Sequence, residues 1–310
     1  MKQILVTCPP MIGRISQYLD FSRELGLNLL VPDFIQTLPE QHLLSLIGQV
    51  DGWIIGDDNA SRKILEIGTE GKLSAIVKWG IGIDSIDLSA ISDLGIRFTN
   101  TPGVFGNEVA DIAIHYLVGL ARKTYLINDQ VRQGNWIKPA GRSISECRVG
   151  VVGFGDIGTN VVRRLGVMGS KAFVIDPYAK EKPNPNLEYL NWNDDLSQLD
   201  YIVLTCSLNA DNRYMVDAAA LARMKDGVGI INVSRGALID ELALVSALES
   251  GKVGSCALDV FEGEPITKES PLLNFPEMIV GSHNASNTIE AVDRVSLQAL
   301  KTISDFLSHV

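Results

Sequence analysis

The chain is short of cysteine, of positive charge and of long apolar runs, and each shortage excludes something. Its four cysteines, Cys8, Cys147, Cys206 and Cys256, stand far apart with no C-x-x-C pair. Neither a disulfide framework nor a zinc site is indicated, and no metal is expected. Three of the four fall in apolar, strand-like runs, where a buried free thiol is the ordinary state. With 27 Lys and Arg against 37 Asp and Glu, the formal net charge is −10. Such an acid excess argues against nucleic acid or an anionic membrane as a partner. No apolar run approaches the roughly 20 residues that span a bilayer. The start, Met1-Lys2 followed by Ile4-Leu5-Val6 and Pro9-Pro10, lacks a signal-peptide pattern. The expectation is a cytoplasmic protein.

What is present is ordinary globular material. Of 310 residues, 46% are hydrophobic and 21% charged, enough for two domains with their own cores. Apolar runs at 3–7, 28–31, 52–56, 75–78 and 97–99 alternate with helical patterns such as 40–47 and 62–67. That rhythm predicts a parallel sheet covered on both faces. Asn100-Thr101-Pro102-Gly103 is a turn cluster and marks the crossover into a second domain. A long helix is predicted over 107–125, with Glu108 and Asp111 early and Arg122 and Lys123 late, as the helix dipole prefers. His115 inside it reads as a packed residue. The less regular stretch from Asn128 through Trp136 to Arg142 reads as an arm that packs on another subunit. Six further strands are predicted at 149–152, 172–175, 201–206, 229–233, 256–260 and 278–281. An amphipathic segment over 289–307 returns to the first domain.

The first of those six strands ends in Gly153-Phe154-Gly155-Asp156-Ile157-Gly158. In such a Gly-x-Gly-x-x-Gly loop Gly153 makes the tight turn and Gly155 admits a pyrophosphate to the backbone. Gly158 packs the helix on the strand. The N–H groups at the helix start, including those of Asp156 and Ile157, suit the anion. The next strand ends at Asp176, about 20 residues on, where an acid accepts the ribose hydroxyls of NAD and repels the extra phosphate of NADP. Lys180 and Lys182 follow closely and soften that preference. Cys206 and Val233, ending later strands, are expected to line the same cofactor.

The remaining strand ends carry chemistry. Ser234-Arg235-Gly236 follows one, Asp259 ends the next with Glu264-Pro265 beyond it, and Ser282-His283 follows the last. A guanidinium holds a carboxylate bidentately. An imidazolium gives a carbonyl oxygen its proton, and a carboxylate sets the tautomer of the histidine. Arg235, Glu264 and His283 are thus a set suited to hydride transfer onto a 2-keto acid. In the first domain Gly80-Ile81-Gly82 can turn backbone N–H groups toward a carboxylate. Lys78 beside it can meet a phosphate, whereas Asp57 and Asp58 would repel a dianion. Asn107 is also expected to contact substrate.

The runs Ile231-Asn232-Val233-Ser234-Arg235-Gly236-Ala237-Leu238-Ile239-Asp240 and Ala257-Leu258-Asp259-Val260-Phe261, with the glycine loop, Val109-Ala110-Asp111 and Gly134-Asn135-Trp136, are specific. Over nearly the whole chain the sequence resembles the D-isomer-specific 2-hydroxyacid dehydrogenases. The resemblance implies two doubly wound α/β domains. A Rossmann NAD-binding domain at 104–285 is inserted into a flavodoxin-like substrate domain at 1–103 and 286–310. It implies catalysis by Arg235, Glu264 and His283, a nicotinamide carboxamide contact at Asp259, and a homodimer joined through the NAD-binding domains. Expected substrates are 3-phosphoglycerate-like or glycerate/glyoxylate-like acids, with no room for an added regulatory domain. The sequence departs from the family at Gly281-Ser282, where Thr-Pro is usual, and at Ser207-Leu208-Asn209, where Pro-Leu-Thr is usual. Glu264 is an acid where formate dehydrogenases carry glutamine. A rival from another class is an NAD(H)-sensing regulator resembling the family's corepressors, with incidental turnover.

Overall fold

The computed structural model describes residues 1–179, 187–194 and 196–308; Lys180 and Lys182 lie outside them. The chain divides into two compact units, Met1–Val104 with Asn287–Val310, and Phe105–Ser286 between them.

In the first unit the elements run β1 (Lys2–Thr7), α1 (Pro9–Ile12), α2 (Leu19–Glu24), β2 (Leu27–Leu30), α3 (Glu40–Ile47) and β3 (Gly52–Ile55). Then come α4 (Arg62–Glu70), β4 (Ala75–Lys78), α5 (Leu88–Asp93) and β5 (Arg97–Thr99). The strands form one sheet in the order β2-β1-β3-β4-β5, every pair parallel. This is the flavodoxin-like order. A central parallel strand is covered on both faces, so β3 and β4 read as unbroken apolar runs; Trp53, Ile54, Ile55, Ile76 and Val77 are wholly buried. The C-terminal helix, Ile289–Ser308, closes one face with Val292, Val295, Ala299 and Ile303, the three-to-four spacing of one helical stripe. It lies close enough that a Cβ at Gly52 would stand 2.8 Å from Ile303 Cδ1.

The second unit runs α6 (Gly106–Arg122), α7 (Thr124–Arg132), β6 (Arg148–Val152), α8 (Asp156–Val167), β7 (Lys171–Ile175) and β8 (Glu188–Tyr189). It continues with β9 (Tyr201–Leu204), α9 (Ala218–Arg223), β10 (Val228–Asn232), α10 (Glu241–Glu249), β11 (Val253–Leu258) and β12 (Met278–Val280). Its sheet order is β12-β11-β10-β9-β6-β7-β8, again all parallel. That is the Rossmann order with one further strand beyond the sixth.

Two local expectations change. The long helix predicted over 107–125 breaks at Lys123, whose φ of 53° is left-handed and whose N–H closes on the Gly119 and Leu120 carbonyls. The break folds Tyr125 back over Gly119, where a Cβ would meet its ring at 2.7 Å. His115, expected to be packed, is exposed and hydrogen-bonds the Tyr125 hydroxyl. The second change is a seventh strand, β8, two residues paired beside β7, too short to show a period of two.

The segment after α7 is pinned by Asp200 at the foot of β9. Its carboxylate accepts from Arg142 at 2.5 Å, Lys225 at 2.6 Å and the Arg148 N–H at 2.9 Å. Burial alone would raise its pKa, but these donors outweigh burial and bring it down to about 2. A carboxylate held below its unfolded value stabilises the fold above that value, and the contribution is lost as pH falls through the folded one. Asp200→Asn is expected to cost about 2 kcal/mol at pH 6. The gap from wild type should shrink to about half by pH 3. Urea melts of both proteins at the two pH values check this; a gap independent of pH would contradict it.

Candidate active site

The glycine loop joins β6 to α8. Gly153 turns with φ 93°, and a Cβ there would lie 2.6 Å from the Cys206 backbone. At Gly158 a Cβ would come within 1.9 Å of the Gly153 carbonyl, so the helix can approach the strand only with glycine. At Gly155 nothing lies within 4 Å, leaving open space at the start of α8. Thr205 Oγ1 donates to the Gly153 carbonyl at 2.8 Å and steadies the turn. Asp176, at the end of β7, accepts the Phe154 N–H at 2.7 Å on one oxygen, and the Tyr178 and Ala179 N–H groups on the other. The acid is therefore part of the loop. A tight turn, an open backbone face at a helix N-terminus and an acid at the next strand end fit a dinucleotide.

Asp156 and Ile157 open α8, with the Asp156 carboxylate against Gly106 at the start of α6. Cys206 is half-buried, and burial pushes its thiol up to about 11, so it is a neutral neighbour of the loop. Asn212 Nδ2 donates to the Ser207 carbonyl at 2.7 Å and Asn209 N–H to Asn212 Oδ1 at 2.8 Å. Asparagine side chains thus shape the turn at Ser207-Leu208-Asn209, where the resemblance would place proline. Val233 is buried, 6% exposed.

Arg235, Glu264 and His283 all follow strands of this sheet on the carboxyl edge. The Glu264 carboxylate is held at both ends: Oε1 accepts the Phe261 N–H at 2.9 Å, and Oε2 meets His283 Nδ1 at 2.8 Å. A carboxylate only accepts, so Nδ1 carries the hydrogen and Nε2 is left to exchange a proton. Arg235 is half-buried; its Nη1 donates to the Ser234 carbonyl at 2.8 Å, and Asn232 holds the Arg235 carbonyl at 2.8 Å. Behind the pair, Glu241 accepts the Glu262 N–H at 2.8 Å, and burial raises its pKa.

Asp259, the expected nicotinamide carboxamide contact, is 2% exposed and hydrogen-bonded within the chain. Its carbonyl accepts the His283 N–H at 2.6 Å. One carboxylate oxygen takes the Asn284 N–H at 3.3 Å and the Tyr116 hydroxyl at 3.3 Å, and the other takes the Ala285 N–H at 2.9 Å. Tyr116 was not anticipated: on a mostly apolar helix a tyrosine reads as packing.

The first unit holds the other expected substrate contacts. Lys78 is the correction among them. It is 3% exposed, and its ammonium is bound by the Gly56 carbonyl at 2.6 Å and by Asp57 at 3.0 Å; it is not offered to a phosphate. Asp58 is buried, accepts the Leu38 N–H at 2.7 Å and has its pKa raised by burial. The Gly80 N–H is likewise spent, on Thr101 Oγ1 at 2.8 Å. That leaves the half-buried backbone of Ile81 and Gly82 as the part of the loop suited to a carboxylate, with the Ile81 carbonyl fixed by Asn100. In the second unit, Asn107 is exposed and tied to Arg163 at 3.0 Å. Among the described residues no group of three or more His, Cys, Asp or Glu is placed to hold a metal ion.

Comparison with known proteins agrees with this fold. The family model described as D-isomer specific 2-hydroxyacid dehydrogenase, NAD binding domain, matches residues 114–285. A hydroxypyruvate reductase of Thermotoga maritima is 34% identical over 271 residues, covering 86% of this chain and 88% of that protein. A chloroplastic D-3-phosphoglycerate dehydrogenase of Arabidopsis thaliana is 30% identical, covering 92% of this chain but 47% of its own length. The crystal structure of a glyoxylate reductase from Paecilomyes thermophila superposes with a TM-score of 0.82 at 29% identity, over 97% of this chain and 94% of that one. The chain belongs to the D-isomer specific 2-hydroxyacid dehydrogenase family, and its second unit carries that family's NAD-binding domain.

Proposed function

We propose that the chain reduces a small, unphosphorylated 2-keto acid of the glyoxylate or hydroxypyruvate kind to the D-2-hydroxy acid. Arg235, Glu264 and His283 are the working side chains. The observation that carries this reading is the 2.8 Å pairing of His283 Nδ1 with Glu264, which assigns proton exchange to Nε2. NAD(H), when bound, supplies or accepts the hydride. Arg235 holds the substrate carboxylate and draws charge from the ketone. Protonated His283 donates to the carbonyl oxygen, and Glu264 stabilises the imidazolium that must be present at that moment. Against a phosphorylated substrate stands Lys78, whose ammonium is committed to the Gly56 carbonyl and to Asp57 and is not offered to a phosphate. The similar hydroxypyruvate reductase supports the same choice.

The protein is proposed to work in the cytoplasm, where its four free cysteines stay reduced. No helix among the described residues is long and apolar enough to cross a membrane. It is further proposed to be a homodimer. Trp136 at 79% exposure, with Val131 and Tyr125 nearby in sequence, gives the second unit apolar surface for a second copy. Sedimentation velocity giving a monomer at micromolar concentration would remove that part of the proposal.

Turnover is read with a panel of glyoxylate, hydroxypyruvate, its phosphorylated relatives and pyruvate, against NADH and NADPH. NADH oxidation with the unphosphorylated acids, and an NADH preference of at least about tenfold arising from Asp176, are expected. No turnover on any acid would favour an NAD(H)-sensing regulator. Arg235→Lys keeps charge but loses the planar fork, so kcat/KM for reduction should fall at least about tenfold, about 1.4 kcal/mol of transition-state stabilisation. NADH affinity should stay near wild type, and an unchanged kcat/KM would remove Arg235 as the clamp.

Glu264→Gln keeps the shape of the pair and removes its charge. Reduction needs the imidazolium, which the carboxylate favours, so the reductive limb of the pH profile should decline at lower pH than in wild type. Oxidation needs the neutral ring and should persist to lower pH. Both limbs report one proton and must move together. Profiles in both directions test this, and a reductive limb that stays in place would show that Glu264 does not act on His283.

A further inference from the structure

His283 sits in a backbone conformation that must be held. Its φ is 53°, in the left-handed region that a non-glycine residue enters only at a cost. What holds it is Asp259. The N–H groups of three successive residues converge on that one side chain and its carbonyl: His283 on the carbonyl, Asn284 and Ala285 on the carboxylate. Successive N–H groups in such a turn make a concavity for an anion, and here the anion is the chain's own.

The fourth donor is Tyr116. It projects from the middle of α6, a 17-residue helix packed on β10, β11 and β12. It is 7% exposed, and its hydroxyl lies 3.3 Å from Asp259 Oδ1. Burial, with the Asp259 charge beside it, pushes the phenol pKa well above its usual value, so it remains a donor at every working pH. The space for this contact exists because residue 281 is glycine. A Cβ there would stand 2.2 Å from Asp259 Oδ1 and 2.5 Å from the Tyr116 hydroxyl. Gly281 is also the point at which the chain departs from the family's usual Thr-Pro-His.

We propose that Tyr116 is a positioning residue for His283: through Asp259 it fixes the 283–285 turn that sets the imidazole against Glu264. The inference rests on the dehydrogenase reading for its kinetic consequence, though not for its structural one. Tyr116 acts on Asp259 and through it on the turn, with no direct part in the chemistry. Its whole effect passes through the proton donor.

The test uses the full chain with Tyr116→Phe, which keeps the ring and removes only the hydroxyl. Reductive kcat should fall about three- to tenfold, the scale of one hydrogen bond to a charged group partly transmitted to the donor. KM for the keto acid and Kd for NADH should stay within about twofold. Placed in a His283→Ala background, the same change should cost nothing further, because its route to the chemistry is gone. A merely structural role would lower both backgrounds equally, and that result, or an unchanged kcat, would overturn the proposal. A second arm does not depend on turnover. In protein labelled with ¹⁵N-histidine, the His283 Nδ1 resonance, identified by its loss in His283→Ala, should shift in Tyr116→Phe as the contact with Glu264 loosens. Gly281→Ala, whose Cβ would crowd both Asp259 Oδ1 and the Tyr116 hydroxyl, should shift the same resonance. A Tyr116→Phe spectrum identical to wild type would sink the inference even if the enzyme is active. Conversely, a wild type that oxidises NADH with no 2-keto acid removes the dehydrogenase reading, while the resonance still decides the part played by Tyr116.

Discussion

The constraint on which the rest depends is that every strand of the second unit runs the same way. Parallel strands return through crossovers, so all their carboxyl ends fall on one edge. The sheet itself delivers residues far apart in sequence to that edge: Gly153, Asp176, Cys206, Arg235, Asp259 and His283 each follow or end a strand. The sheet supplies position, and the apolar interiors of β6, β9 and β10, almost wholly buried, supply the rigidity. Polar chemistry is then confined to loops a few residues long, which can vary without disturbing the core.

Within those loops the polar groups hold one another more than their residue types suggest. Asp176 is met by three N–H groups, Glu264 by one N–H and a histidine, and Asp259 by three donors on its carboxylate. A carboxylate with its lone pairs engaged is fixed in orientation, and so is the backbone that engages it. Lys78 extends the pattern to the first unit, where it faces Asp57 beneath the surface.

The parts legible in the sequence were those governed by short spacing. Three glycines within six residues, an acid at the next strand end, and apolar runs punctuated by turn residues carry their own geometry, so both sheets and the cofactor loop could be read directly. Pairing across strands could not. Lys78 looks the same on paper whether its ammonium faces solvent or the Gly56 carbonyl, and only the adjacency of β3 and β4 decides it. The Gly80 N–H is consumed by a threonine 21 residues away. Tyr116 and Asp259 are separated by 143 positions, and nothing in the amphipathic pattern of α6 distinguishes a tyrosine that donates from one that merely packs. The break at Lys123 was hidden for the converse reason. Lysine has no left-handed preference of its own, and the turn is held by Tyr125 settling on Gly119.

The first unit is assembled from both ends of the chain, with a helix that begins at Ile289 lying against a strand that begins at Gly52. During synthesis, which proceeds from the N-terminus, the face of β3 and β4 stays uncovered until the whole second unit has left the ribosome. That second unit is contiguous and can close while the first still waits. The apolar stripe of Val292, Val295, Ala299 and Ile303 thus acts as a late latch, and the β3–β4 face is the surface that a nascent-chain chaperone would have most reason to shield.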